Sequence, residues 1–174
     1  MNHNKPERES TLVDIASLEA PAAILMIGTP GSGKSYVARE MGKMLGLDIL
    51  STDSVRQELT GDEADQSRNS EVWPLLHSRA QEYFAYDQSV IIDATHFSPE
   101  QRQGATAKFR ELGATAVAGI YVDTSLSTSL SRNRLRRRHV PEEVVRHMFT
   151  TLDNTPPSLD DGFDTLVHIR NQGR

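Results

Sequence analysis

Gly28-Thr29-Pro30-Gly31-Ser32-Gly33-Lys34-Ser35 follows directly on the apolar run Ala22-Ala23-Ile24-Leu25-Met26-Ile27. The run is short and continuous, as expected of a buried strand. The eight residues after it fit the pattern G-x-x-x-x-G-K-[ST]. Residues 36–45 then read as a helix, with Val37, Met41, Met44 and Leu45 on one side and Gly46 as its C-terminal stop. Strand, glycine loop and helix in this order turn a pattern match into a structural expectation. Glycines let successive backbone N–H groups converge on one anion. The helix adds its positive N-terminal end. Lys34 is expected to reach the outer phosphates of a nucleotide, and Ser35 to hold Mg²⁺ through its hydroxyl.

Outward from this loop, short apolar runs alternate with helical stripes. Residues 47–50, 89–93, 115–122 and 163–169 read as further strands. Residues 53–59, 71–86, 99–112, 125–134 and 141–152 read as helices. Pro74 fits the second of these if it lies in the first turn, and Trp73 reads as a core residue. Residues 60–70 are polar and acidic and read as a surface loop. The alternation predicts an α/β fold with a central, mostly parallel sheet flanked by helices. Residues 1–20 read as a tail and a short helix, and 21–170 as one domain.

Composition narrows the function. A chain of 174 residues is most simply one domain with a real core. It has no Cys, which excludes disulfides, thiolate metal sites and a cysteine nucleophile, and fits a cytoplasmic setting. No apolar run approaches a membrane span, and the polar first residues carry no signal core. A formal net charge of −5 argues against a uniformly basic nucleic-acid binder. That sum conceals the run Arg132-Asn133-Arg134-Leu135-Arg136-Arg137-Arg138-His139.

In an open parallel sheet, ligands bind at the carboxyl ends of the strands. The first strand ends at the glycine loop, the second at Asp53 and the third at Asp93, so the strongest polar signals share one edge. Asp53 serves either as a helix N-cap or as the acceptor of a proton from an attacking hydroxyl. Arg56 lies one turn on, on the same helical face. Asp93 either helps position Mg²⁺ or pairs with Arg56 or another loop Arg for structure alone. The arginine run is either a solvated face or a lid that closes over phosphates, with Arg132 and Arg136 four apart. Its other arginines then face a polyanionic acceptor. Arg102 is placed to reach the acceptor. His96 reads as a bystander in the loop after Asp93.

The set G-T-P-G-S-G-K-S at 28–35, S-T-D-S-V-R at 51–56, V-I-I-D-A-T-H-F-S-P-E-Q-R at 90–102 and R-N-R-L-R-R-R-H-V-P-E-E-V at 132–144 resembles the polynucleotide 5′-hydroxyl kinase family. The resemblance runs over nearly the whole chain. It implies a P-loop kinase fold with an Arg-rich helical lid at about 132–150. It implies ATP and Mg²⁺ as cofactors, with Gly28, Thr29, Pro30, Gly31, Ser32, Gly33, Lys34, Ser35 and Tyr36 around the nucleotide and Ser35 on the metal. Asp53 would match the general base on the 5′-OH, Arg56 and Asp93 the acceptor side, and Arg136, with Arg132 nearby, the lid grip on ATP. Relatives often carry Asn where His96 stands. Family members often join this domain to a phosphatase or ligase, which 174 residues do not accommodate, so a separate partner of that kind is the expectation. The function expected is transfer of the γ-phosphoryl group of ATP to a hydroxyl, the 5′-OH of RNA or DNA. The alternatives are a small-molecule kinase for a sugar, nucleoside or antibiotic, and a nucleotide-switched binding module.

Overall fold

The computed structural model describes residues 11–136 and 138–171. The tail read at 1–10, the last three residues and Arg137 lie outside the described residues. Five parallel strands form one sheet in the order β2-β3-β1-β4-β5: β1 Ala22–Ile27, β2 Asp48–Ser51, β3 Val90–Asp93, β4 Ala116–Asp123 and β5 Thr165–Arg170. The helices are α1 Leu12–Ala16, α2 Lys34–Leu45, α3 Thr52–Thr60, α4 Asn69–Ala85, α5 Pro99–Glu111, α6 Leu126–Arg134 and α7 Glu142–Asn154, with a 3₁₀ turn at Leu159–Asp161.

The sheet is apolar on both faces because each strand feeds side chains alternately to two cores. Ala23, Leu25 and Ile27 of β1 join Val55, Leu76, Phe109 and Leu152 from α3, α4, α5 and α7. Ile24 and Met26, the residues between them, join Ile15, Ala38 and Met41 from α1 and α2. The register pairs Ser51 with Asp93 and Leu25 with Ile92, so β1, β2 and β3 end level with one another. That level edge is what gathers the polar residues that follow each strand.

Three local expectations change. Met44 is 73% exposed, because α2 turns it away from the sheet while Met41 faces inward. Pro74 sits in the second turn of α4, since the helix begins at Asn69. Phe163 precedes β5 and packs into the core from a turn. Among the described residues, no helix is long and apolar enough to cross a membrane.

Candidate active site

The loop between β1 and α2 is held open by glycine. Gly31 has φ +84°, and a Cβ there would lie 2.2 Å from the Ser129 carbonyl oxygen. Gly33, at φ +94°, opens α2. Neighbouring elements brace the loop. Thr29 Oγ1 and Ser129 Oγ are 2.9 Å apart. The Ser32 carbonyl accepts from Thr124 Oγ1 (3.0 Å) and Asn171 Nδ2 (2.8 Å). Thr29 and Ser32 are buried, whereas Tyr36 is 62% exposed beside the loop.

Lys34 is buried behind this loop. Burial holds its ammonium below the usual lysine value; Asp93 and Asp53 oppose that shift, and Arg136 and Arg138 add to it. A cation with this history favours an incoming anion, since the anion restores the lost solvation.

Asp53 is not the N-cap of α3. Ser51 is, accepting from the Ser54 N–H at 3.4 Å, and this leaves the Asp53 carboxylate free to face three arginines. Its Oδ1 accepts from Arg56 NH1 at 2.8 Å and from Arg138 NH1. Among the described residues its Oδ2 has only the long 3.4 Å contact from Arg136 NH2 and is the less engaged oxygen. Arg56 also donates to Asn69 Oδ1 at 3.0 Å. Asp93 therefore does not pair with Arg56, and its Oδ1 has no partner among the described residues.

Two cavities meet here. One of about 840 Å³ opens between α4, α5 and the segment 136–148. The other, about 550 Å³, lies along the loop and includes Gly31, Gly33, Tyr36, Arg39 and Arg132. Lys34, Ser35, Ser51, Asp53, Asp93 and Arg136 line both. The buried side-chain atoms without a partner among the described residues are Ser32 Oγ, Arg56 Nε, Asp93 Oδ1 and His96 Nε2. All belong to the loop or to the first cavity, where a ligand would supply the missing bonds.

Mg²⁺ fits this arrangement. Ser35 brings a hydroxyl to the junction of the cavities, and the unpaired Asp93 oxygen is available to waters around a hydrated ion. No group of three His, Asp or Glu side chains among the described residues would hold a metal alone, so nucleotide phosphates would complete the set.

Several expectations are corrected. Arg102 does not reach an acceptor. It is 1% exposed, paired with Asp161 at 2.6 Å, and it donates to the Phe97 and Thr155 carbonyls at 3.0 Å each. Arg136 leaves the helical face of Arg132, because α6 ends at Arg134. Of the arginine run, Arg134 pairs with Glu142, and Arg136 and Arg138 with Asp53, so these three are not free cations. Trp73 is not a core residue; it lines the first cavity, at ring distances of 5.5 Å from His77 and 5.8 Å from His96. Asn69, Trp73 and His77 recur every four residues on the same wall, a spacing legible in the sequence. His96 is 3% exposed and lines the first cavity, and nothing local in the sequence marks Arg138 as the arginine that turns inward to Asp53.

A family model described as an AAA domain (AAA_33) matches residues 24–155. Over 42 residues the chain is 50% identical to the shikimate kinase of Mycobacterium avium (strain 104), a stretch that covers 24% of this chain and 23% of that protein. A chain in the structure of the Pnkp1/Rnl/Hen1 RNA repair complex superposes with a TM-score of 0.70 at 20% identity, over 85% of this chain and 48% of that one. A gluconokinase from Sinorhizobium meliloti 1021 superposes with a TM-score of 0.58 at 20% identity, over 90% of this chain and 86% of that one. The chain thus spans about a quarter of the shikimate kinase and about half of the RNA repair chain, and at these structural identities the likeness is one of fold. With the family model covering most of the sheet and the whole junction of the two cavities, the chain belongs to the AAA_33 family of AAA domains and has a P-loop kinase fold.

Proposed function

We propose that this domain transfers the γ-phosphoryl group of ATP to a hydroxyl, and that the acceptor is the 5′-OH end of a polynucleotide. The observation that carries the phosphotransfer reading is the junction: a phosphate-loop cavity and a larger cavity share Lys34, Ser35, Asp53, Asp93 and Arg136. A donor in one and an acceptor in the other meet at those side chains.

ATP supplies the phosphoryl group, and Mg²⁺ offsets its charge when bound. The rest is done by the chain. Asp53 Oδ2, the less engaged oxygen, orients the acceptor hydroxyl and takes its proton. Arg56 holds Asp53 from below and offers its unpartnered Nε–H to an acceptor phosphate. Lys34 and Arg136 face the charge that develops between the two substrates. Arg138 and Arg136 bind Asp53 and so link the chain after α6 to the start of α3 at the site.

The polynucleotide end is supported by the four spaced motifs and by the fold shared with the RNA repair chain. A small-molecule acceptor is the second reading. It is favoured by arginines bonded within the fold and by a first cavity of about 840 Å³, a size that suits a small ligand. Incubation with γ-labelled ATP and a panel of 5′-OH oligonucleotides, nucleosides and sugars tests both. Label on oligonucleotide 5′ ends supports the proposal; label on free sugars alone moves the acceptor to the second reading. Good ATP binding with no labelled acceptor leaves a nucleotide-switched binding module.

A further inference from the structure

His96 follows β3 by three residues and is among the residues that line the larger cavity. It has φ +43°, in the left-handed region that a residue with a side chain adopts only at a cost. The ring is 3% exposed, and Nδ1 is 2.9 Å from the Met26 carbonyl oxygen. A carbonyl only accepts, so Nδ1 carries the proton of that bond. The other nitrogen, Nε2, is then a lone-pair acceptor in the neutral ring, and no group among the described residues bonds to it. Burial pushes the ring down to about 4, against the Met26 bond and Asp93, which raise it, with Lys34 and Arg102 lowering it further. The neutral form therefore holds at physiological pH. A buried acceptor left unmade costs about 1–3 kcal/mol.

The cavity thus asks its ligand for an O–H or N–H donor near His96, besides the hydroxyl that meets Asp53. Resting on the polynucleotide reading above, the chemistry of a 5′-OH end narrows that donor. The terminal 5′-OH is the reacting group. O3′ is esterified to the next phosphate, and O4′ is a ring ether. The one further sugar donor is the 2′-OH, which RNA has and DNA lacks. Base N–H groups differ from base to base, and a kinase that serves any end gains nothing from a fixed acceptor aimed at them. Trp73, 5.8 Å from the His96 ring and part-exposed on the same wall, gives the terminal sugar or base an aromatic surface to lie against.

We propose that His96 Nε2 accepts a hydrogen bond from the 2′-hydroxyl of the 5′-terminal nucleotide, and that the domain is thereby selective for RNA ends over DNA ends. His96 is a specificity-determining residue that touches substrate away from the reacting atoms.

The test compares a 5′-OH RNA oligonucleotide with the same strand carrying one 2′-deoxy substitution, at the terminal or at an internal nucleotide. With the wild-type protein, the terminal substitution lowers kcat/KM about tenfold or more, for each of the four terminal bases, and the internal one has no effect. His96→Phe keeps an aromatic ring, removes the acceptor and levels the terminal difference. If that variant does not fold, ¹⁵N NMR of the wild-type imidazole decides: the Nε2 signal moves with a 5′-OH ribodinucleotide and not with its terminal 2′-deoxy analogue. Equal use of both strands, or a difference that survives in His96→Phe, overturns the assignment and leaves the kinase reading standing. Transfer to neither strand overturns both.

Discussion

In the proposed transfer, Asp53 is the residue on which the chemistry turns. Among the described residues its two oxygens are unequally engaged, with Arg56 and Arg138 on Oδ1 and only a long Arg136 contact on Oδ2. Asp53→Asn keeps the shape and removes the proton acceptor. The expected result is a kcat lower by about 10²–10⁴-fold, with the ATP Kd changed by no more than a few fold, as measured by single-turnover transfer and nucleotide titration. Near-normal turnover would remove Asp53 as the base. His96 makes a second prediction, for stability. Its folded value, about 4, lies below the ordinary 6.5, so the unfolded chain binds a proton that the native ring refuses. The stabilisation is full above pH 6.5 and is lost as the pH falls toward 4, by up to about 3 kcal/mol. Urea midpoints measured between pH 7 and pH 4 show that loss for the wild-type protein and a shallower slope for His96→Phe. Parallel slopes would contradict the assignment. The shared sheet edge was legible in the sequence: Lys34 closes the glycine loop after β1, Asp53 comes two residues after β2, and Asp93 is the last residue of β3. His96 and Arg138 were not. Their roles depend on Met26, 70 residues before His96, and on Asp53, 85 residues before Arg138, and no local pattern encodes such partners.

At the scale of elements, the strands and helices were readable from their period, and the segments that join them less so. α4 begins at Asn69 and runs through Pro74, a start hidden by the polar composition of the preceding loop. That loop is tied down by its own polar groups, since the Arg56 guanidinium reaches Asn69 and the Arg68 NH1 reaches the Leu59 carbonyl at 3.0 Å. Arg102 is the clearest case of a side chain whose purpose lies elsewhere. From α5 it clamps Asp161 and the Thr155 carbonyl, and so fixes the connection between α7 and β5. Because the pair is almost wholly buried, Arg102→Ala leaves Asp161 charged without its partner. The expected cost is about 3–5 kcal/mol of unfolding free energy in urea titration, with the KM for ATP unchanged in the protein that remains folded. A rise in acceptor KM without loss of stability would return Arg102 to the substrate.

Over the whole molecule, the level ends of β1, β2 and β3 turn separate sequence motifs into one site. The parallel α/β class and its functional edge followed from the alternation of strands and helices and the chain order of the motifs. The pairing of the arginine run did not, because Arg134, Arg136 and Arg138 read as free cations in sequence and are paired with acids in the fold. The net charge of −5 adds a general repulsion toward a polyanion. On the polynucleotide reading, an end held by Arg56 and its neighbours would engage only a few phosphates. The expected slope of log KM against log salt corresponds to about one to three released counterions, well short of an extended nucleic-acid track. A slope of zero favours a neutral small molecule.

The central claim is that the two cavities are the donor and acceptor halves of one kinase site. The direct measurement is transfer of label from γ-³²P ATP to a 5′-OH RNA oligonucleotide, followed by mapping of the labelled position. The account predicts label at the 5′ terminus, lost in Asp53→Asn and in Lys34→Ala. ATP hydrolysis or binding with no label on RNA, or equal labelling by the Asp53→Asn protein, would contradict it.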